Sequence, residues 1–279
     1  MIEMFTLASG TVGPDAGRTM QFPAGEQHVI PADGATGPLA VLVRGAGAED
    51  LVAAGMAIDA ARRAGRRAAL VLPYLPGARQ DRGVPFGAEV YARLLNALGA
   101  DRVLAIDPHS PVMPALIENL EVYPLSRFVR QALTRRVADA HVSDYVGVIA
   151  PDAGAAERSG AVAHALGLPL VQARKHRDFA TGALSGFTCD PLPSAGKLLV
   201  VDDICDGGGT FRGLAEATGL GPDRLDLWVT HGVFSGRAPQ LREHFGHIHT
   251  TDSHPGHTHP DVAATIHPLT DTLIREALR

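Results

Sequence analysis

Leu198-Leu199-Val200-Val201-Asp202-Asp203-Ile204-Cys205-Asp206-Gly207-Gly208-Gly209-Thr210 is the stretch on which the fold turns. Four apolar residues predict a strand buried on both faces, the mark of a parallel sheet. Two adjacent acids end it, and a run of glycines leads into a helix expected over Phe211 to Thr218. Glycine lets a backbone approach an anion closely, with N–H groups turned inward, and the helix N-terminus adds partial positive charge. Thr210 adds a hydroxyl. The turn therefore suits a phosphate group, held by Asp206, Gly207, Gly208, Gly209 and Thr210. Asp202 and Asp203 are acceptors, so they suit sugar hydroxyls or a hydrated divalent cation. A tight turn with surface acids is the plain alternative, but turn chemistry alone needs neither three acids nor three glycines.

Outward from this stretch the chain alternates strands and helices. Leu39 to Val43, Ala68 to Leu72 and Arg102 to Ile106 read as strands, with helices over Ala48 to Ala64 and Ala88 to Leu98. Tyr145 to Ile149, Leu170-Val171, Lys197 to Val201 and Leu225 to Thr230 read as further strands, with a helix over Ala155 to Leu166. Such alternation predicts an α/β protein with helices on both faces of mostly parallel sheets. Ligands in that architecture bind just beyond the carboxyl ends of strands.

Composition narrows the classes. The 279 residues are 46% hydrophobic and 20% charged, enough apolar surface for one large domain or two ordinary ones. The net charge of -5 lacks the basic footprint of a nucleic-acid binder. Cys189 and Cys205 form no CxxC pair. Met1 to Phe5 shows no basic stretch ahead of an apolar run, and no apolar run of about 18 residues occurs, so neither a signal peptide nor a membrane span is expected. The expected location is the cytoplasm.

A second polar loop follows the strand ending at Leu72. Pro73, Pro76 and Gly77 force an extended turn, and Arg79-Gln80-Asp81-Arg82 comes next. Two guanidiniums this close suit a polyphosphate, and Gln80 suits a base or a hydroxyl. Spacing alone leaves a solvated charged loop equally open. Asp107-Pro108-His109, Pro151-Asp152-Ala153-Gly154 and Ala173-Arg174-Lys175-His176-Arg177 also stand at strand ends, where a structural histidine and exposed turns are the plain readings.

The glycine segment resembles the loop shared by type I phosphoribosyltransferases and pyrophosphokinases. Tyr74 to Arg82 resembles the ATP-binding signature of the ribose-phosphate pyrophosphokinase family, which phosphoribosyltransferases lack. The resemblance runs from about Phe22 to Leu278 and implies two tandem phosphoribosyltransferase-like domains, each a mostly parallel sheet flanked by helices. Residues 1–124 would bind ATP, with a C-terminal helix at 262–279 packed back on them, and residues 125–261 would bind ribose 5-phosphate. It implies ATP contacts from Phe22, Glu26, Arg79, Gln80, Asp81, Arg82 and His109, and a Mg²⁺ cofactor held by His109 and Asp152. It implies catalysis by Lys175 and Arg177 of a mobile loop, with His109, and ribose 5-phosphate contacts from Asp202, Asp203 and the glycine turn. The implied reaction moves pyrophosphate from ATP to ribose 5-phosphate for nucleotide biosynthesis. Self-association as a dimer or larger is implied, with neither nucleic acid nor membrane as partner. An inactive regulatory relative and a type I phosphoribosyltransferase are the alternatives.

Two segments depart from the family pattern. Phe22-Pro23-Ala24-Gly25-Glu26 lacks the acid expected at Ala24, and Ser110 to Pro114 replaces a glycine- and glutamine-rich run, so altered feedback control is expected. His244, His247, His249, His254, His257 and His259 cluster near the C-terminus without helical spacing. A solvated, pH-sensitive loop is expected there rather than a zinc or copper site. Thr251-Asp252-Ser253 within it resembles a family loop near the ribose phosphate site.

Overall fold

The computed structural model describes residues 2–8, 11–15, 17–134, 141–177 and 184–279. The chain divides into two compact units, Met1–Tyr123 with Pro268–Arg279, and Pro124–His267.

In the first unit, β1 (Ile2–Ala8) and β2 (Thr11–Pro14) form a hairpin, and β3 (Arg18–Gln21) and β4 (Gln27–Ile30) form another. β5 (Leu39–Val43), α1 (Ala48–Arg63), β6 (Ala68–Val71), α2 (Gly87–Ala97), β7 (Arg102–Ile106), α3 (Val112–Leu116) and β8 (Leu120–Tyr123) follow. The sheet order is β2-β1-β5-β6-β7-β8, parallel from β5 to β8 and antiparallel at β1 and β2. All five residues of β5 are buried because both sheet faces are covered. α1 seats Leu51, Ala54, Ile58 and Ala61 in the core, at the spacing of one helical face. Glu49 and Asp50 in its first turn and Arg62 and Arg63 in its last complement its dipole. The helix stops at Gly65, whose φ of 70° lets Arg66 N–H reach back to the Ala61 carbonyl.

The second unit holds α4 (Leu125–Thr134), β9 (Tyr145–Ala150), α5 (Ala156–Leu166), β10 (Leu170–Arg177) and β11 (Leu184–Cys189). β12 (Lys197–Cys205), α6 (Gly209–Thr218), β13 (Leu225–Gly232), β14 (Ile248–Thr251) and β15 (Thr265–His267) complete it. The strand order is β11-β10-β9-β12-β13-β14-β15, parallel except for β11. From β9 the chain winds outward to β10, and from β12 it winds the opposite way to β13. The winding reverses between β9 and β12, and such a reversal opens a crevice at the carboxyl ends of the two strands. Finally α7 (Thr270–Ala277) belongs to the first unit, burying Leu273, Ile274 and Ala277.

Three stretches differ from the sequence reading. β12 continues through Asp202 and Asp203 to Cys205, because parallel bonding to β13 persists to Cys205↔Gly232. β10 continues through Lys175 to Arg177, where the antiparallel partner β11 holds it extended. The stretch expected as one helix at 262–279 opens with β15, and its helix begins at Thr270.

The histidine segment is not uniformly solvated. His249 lies in β14 with none of its surface exposed, and His267 in β15 is 2% exposed. Both pack against Trp228, with ring centroids 6.0 and 4.9 Å away. The buried Asp226 carboxylate accepts the Tyr145 hydroxyl at 2.9 Å and the His247 backbone N–H at 2.9 Å. The Tyr145 hydroxyl spends its hydrogen on Asp226, so its oxygen accepts from His249 Nε2, 3.4 Å away. That leaves His249 Nδ1 bare to accept from His267 Nε2 at 3.2 Å. The chain of bonds requires a neutral His249, whose Nδ1 must accept, and burial lowers both imidazoles, His249 to about 3 and His267 to about 4.

Candidate active site

The glycine turn sits at the carboxyl end of β12. Gly208 has a φ of 72°, and a Cβ there would meet the Leu241 side chain at 3.0 Å, so both backbone and space call for glycine. The Gly208 carbonyl accepts from Arg212 N–H as α6 begins. The N–H groups of Gly209, Thr210 and Phe211 precede that bond and sit where a helix has no carbonyl to offer them. The turn is braced from β13's far end. Val233 and Phe234 N–H donate to the Cys205 carbonyl, Ser235 N–H donates to the Asp206 carbonyl, and the Ser235 hydroxyl donates to the Asp206 carboxylate. Asp206 thus shapes the turn from below.

Asp202 and Asp203 lie just ahead of it. Arg158 of α5 stands 3.8 Å from a carboxylate oxygen of each. Burial, and then the neighbouring Asp203, raises the Asp202 carboxyl well above the ordinary carboxylate range, while Arg158 works in the opposite direction. Sequence reading missed Arg158. Its only signal is a lone arginine on the first turn of the helix that follows the Pro151-to-Gly154 turn, and nothing local says that this turn faces β12.

Asp152 occupies the matching position after β9. Its Oδ1 accepts from Gly154 N–H at 2.9 Å and Ala155 N–H at 3.2 Å, which holds the turn into α5. Gln172 fastens the same turn, its side-chain amide donating to the Asp152 carbonyl at 3.0 Å. Among the described residues no hydrogen bond reaches the second oxygen of Asp152. One free carboxylate oxygen fits a cation that keeps most of its water and phosphate ligands, which is how Mg²⁺ is usually bound. Among the described residues no group of three or more His, Cys, Asp or Glu side chains could enclose a metal.

Lys175 reaches from β10 to the turn, its Nζ donating to the Thr210 hydroxyl at 2.8 Å. The Arg177 side chain lies outside the described ones, as does that of His176.

In the first unit, Arg79 to Arg82 follow β6 and His109 follows the neighbouring parallel strand β7, so both are at carboxyl ends of one sheet. Arg79, Gln80 and Arg82 are exposed, and Asp81 is half-buried, 3.6 Å from Arg82. The Gln80 carbonyl accepts from Ala88 N–H, and its side chain lies so close over Gly87 that a Cβ there would collide. His109 is half-buried beyond Asp107, which holds a left-handed φ of 46° while buried. Phe22 and Glu26 sit apart from these at the β3–β4 turn, where Phe22 N–H donates to the Glu26 carbonyl. Phe22 is 44% exposed, with its ring 5.5 Å from that of His28.

Among the described residues, no helix is long and apolar enough to cross a membrane. No protein-family model matches the chain. It is 34% identical over 195 residues to a ribose-phosphate pyrophosphokinase of Agrobacterium fabrum, covering 65% of the chain and 59% of that protein. It is 35% identical over 199 residues to the Rhizobium meliloti protein of the same name, with the same coverage. The chain thus spans about three fifths of the length of these curated relatives. In structure it superposes on the phosphoribosylpyrophosphate synthetase of Mycobacterium smegmatis with a TM-score of 0.75 and 23% identity, over 95% of this chain and 90% of the other. The chain is therefore similar in sequence to ribose-phosphate pyrophosphokinases along about two thirds of its length, and it has the fold of that synthetase.

Proposed function

We propose that this protein is a ribose-phosphate diphosphokinase, forming phosphoribosyl pyrophosphate and AMP from ribose 5-phosphate and ATP. One observation carries the proposal. The crevice between β9 and β12 collects an anion-binding glycine turn, an acid pair and a lysine already bonded to that turn. The turn would hold the 5-phosphate, and Asp202 and Asp203 would accept from the ribose hydroxyls. Arg79, Gln80, Asp81, Arg82 and His109 would hold ATP, and the exposed Phe22 and Glu26 would meet its adenine in a dimer or larger assembly.

Phosphoryl transfer asks the protein for position and charge neutralisation. The sugar O1 bonds to the β-phosphorus as the bond from that phosphorus to the α,β-bridging oxygen breaks. AMP leaves with the bridging oxygen, and the O1 proton passes to solvent. Lys175 and Arg177 would stabilise the charge on the transferring group. Mg²⁺ bound with the nucleotide would neutralise phosphate charge, and His109 and Asp152 are the residues that would hold it.

The full chain incubated with ATP, Mg²⁺ and ribose 5-phosphate is expected to release AMP and phosphoribosyl pyrophosphate in equal amounts. No AMP would falsify the proposal. Light scattering tests the assembly, with a lone monomer as the contrary result.

A further inference from the structure

Thr210 is the second residue of α6, inside the glycine turn, and its hydroxyl accepts from Lys175 Nζ at 2.8 Å. β9 lies between β10 and β12 in the sheet, so this bond spans the crevice at the carboxyl end of β9. An ammonium group only donates, so the threonine oxygen is the acceptor and its single hydrogen points away from Lys175. Among the described residues that hydrogen meets no protein acceptor. It is left over in a turn whose neighbouring N–H groups are also left over by the helix.

We infer that Lys175 is a positioning residue for the sugar's 5-phosphate, acting through Thr210: it fixes the hydroxyl with its hydrogen turned to the phosphate cradle. The inference rests on the substrate reading above and adds to it. Donation from a cation draws electron density from the hydroxyl oxygen and makes its hydrogen a stronger donor. Lys175 then contributes to binding the sugar before any nucleotide arrives, apart from its part in the transfer.

The test is a double-mutant cycle on the full chain, with ribose 5-phosphate binding measured calorimetrically in the absence of ATP. Lys175→Met is expected to weaken binding about ten-fold, ~1.4 kcal/mol. Thr210→Val is expected to weaken it at least as much, and adding Lys175→Met to Thr210→Val should cost less than about two-fold more. Thr210→Ser keeps the hydroxyl and should recover most of the affinity that Thr210→Val loses, and Thr210→Ala repeats the cycle should valine disturb the turn. Unchanged affinity in Lys175→Met, with only turnover lost, overturns the inference. So do additive losses, which would mean that Lys175 meets the phosphate directly. Wild-type protein that binds no ribose 5-phosphate overturns the substrate reading itself, a result distinct from either.

Discussion

The two ends of the second unit's sheet use polar residues in opposite ways. At the carboxyl ends Asp152, Asp202, Asp203, Thr210 and the left-handed Gly208 gather carboxylates, a hydroxyl and a glycine turn, with Arg158 and Lys175 as the nearby cations. Tyr145, Asp226 and His249, near the amino ends of β9, β13 and β14, spend their hydrogen bonds on one another and on His267, the last residue of β15, with Lys197 and His247 at the rim. Like charges side by side, as in Asp202 and Asp203, cost stability, and the proposed sugar site would account for them. Neutral imidazoles in a closed chain cost little and hold strands in register.

The contrast breaks first at Lys175. Lys175→Ala should lower kcat by about 10²- to 10³-fold, with ATP KM moving far less, as steady-state kinetics would show. Unchanged turnover would remove the lysine from the chemistry. Arg158→Met comes next. It takes away the cation that opposes the rise in the Asp202 carboxyl. Ribose 5-phosphate affinity, titrated against pH, should then need a higher pH for its maximum; an unshifted profile would cut Arg158 from the site.

At the other end Tyr145→Phe removes the donor to buried Asp226 and should cost about 1–3 kcal/mol in urea unfolding. Its kcat should stay as in wild type, and a large loss of turnover would mean that the two ends are not separate. The smallest effect is on acid stability. His249 and His267 are lowered in the folded protein to about 3 and about 4, below their ordinary value of 6.5. The unfolded chain therefore binds protons first. Stability from the neutral imidazoles is complete above pH 6.5 and drains away as pH falls toward 4 and then 3. His267→Phe should flatten that stretch of the stability–pH curve, and an unchanged slope would contradict the burial argument.

Local pattern carried much of this. Four apolar residues before two acids, with glycines after them, read as a strand running into a turn and a helix, and β12 and α6 stand there. The β-branched and leucine runs at Leu39 to Val43 and Arg102 to Ile106 read as strands and are strands. The lengths of β10 and β12 were not legible. Lys175, Asp202 and Asp203 look like loop residues by polarity, and only pairing with β11 and β13 keeps them extended. The same holds for the histidines, because polar spacing says nothing of a partner carboxylate and tyrosine on distant strands.

By itself, then, the sequence determined the alternation of strands and helices, the acid pair and the glycine turn, since these depend on neighbours a few residues away. Tertiary structure decided the rest. It set the reversal of winding between β9 and β12, and it brought Arg158 to the acids across 44 and 45 residues of chain. It placed Lys175 on Thr210 and buried two histidines behind Trp228. The reason is physical: a hydrogen bond or a buried charge is settled by what stands within a few ångströms in space, and only strand order sets that.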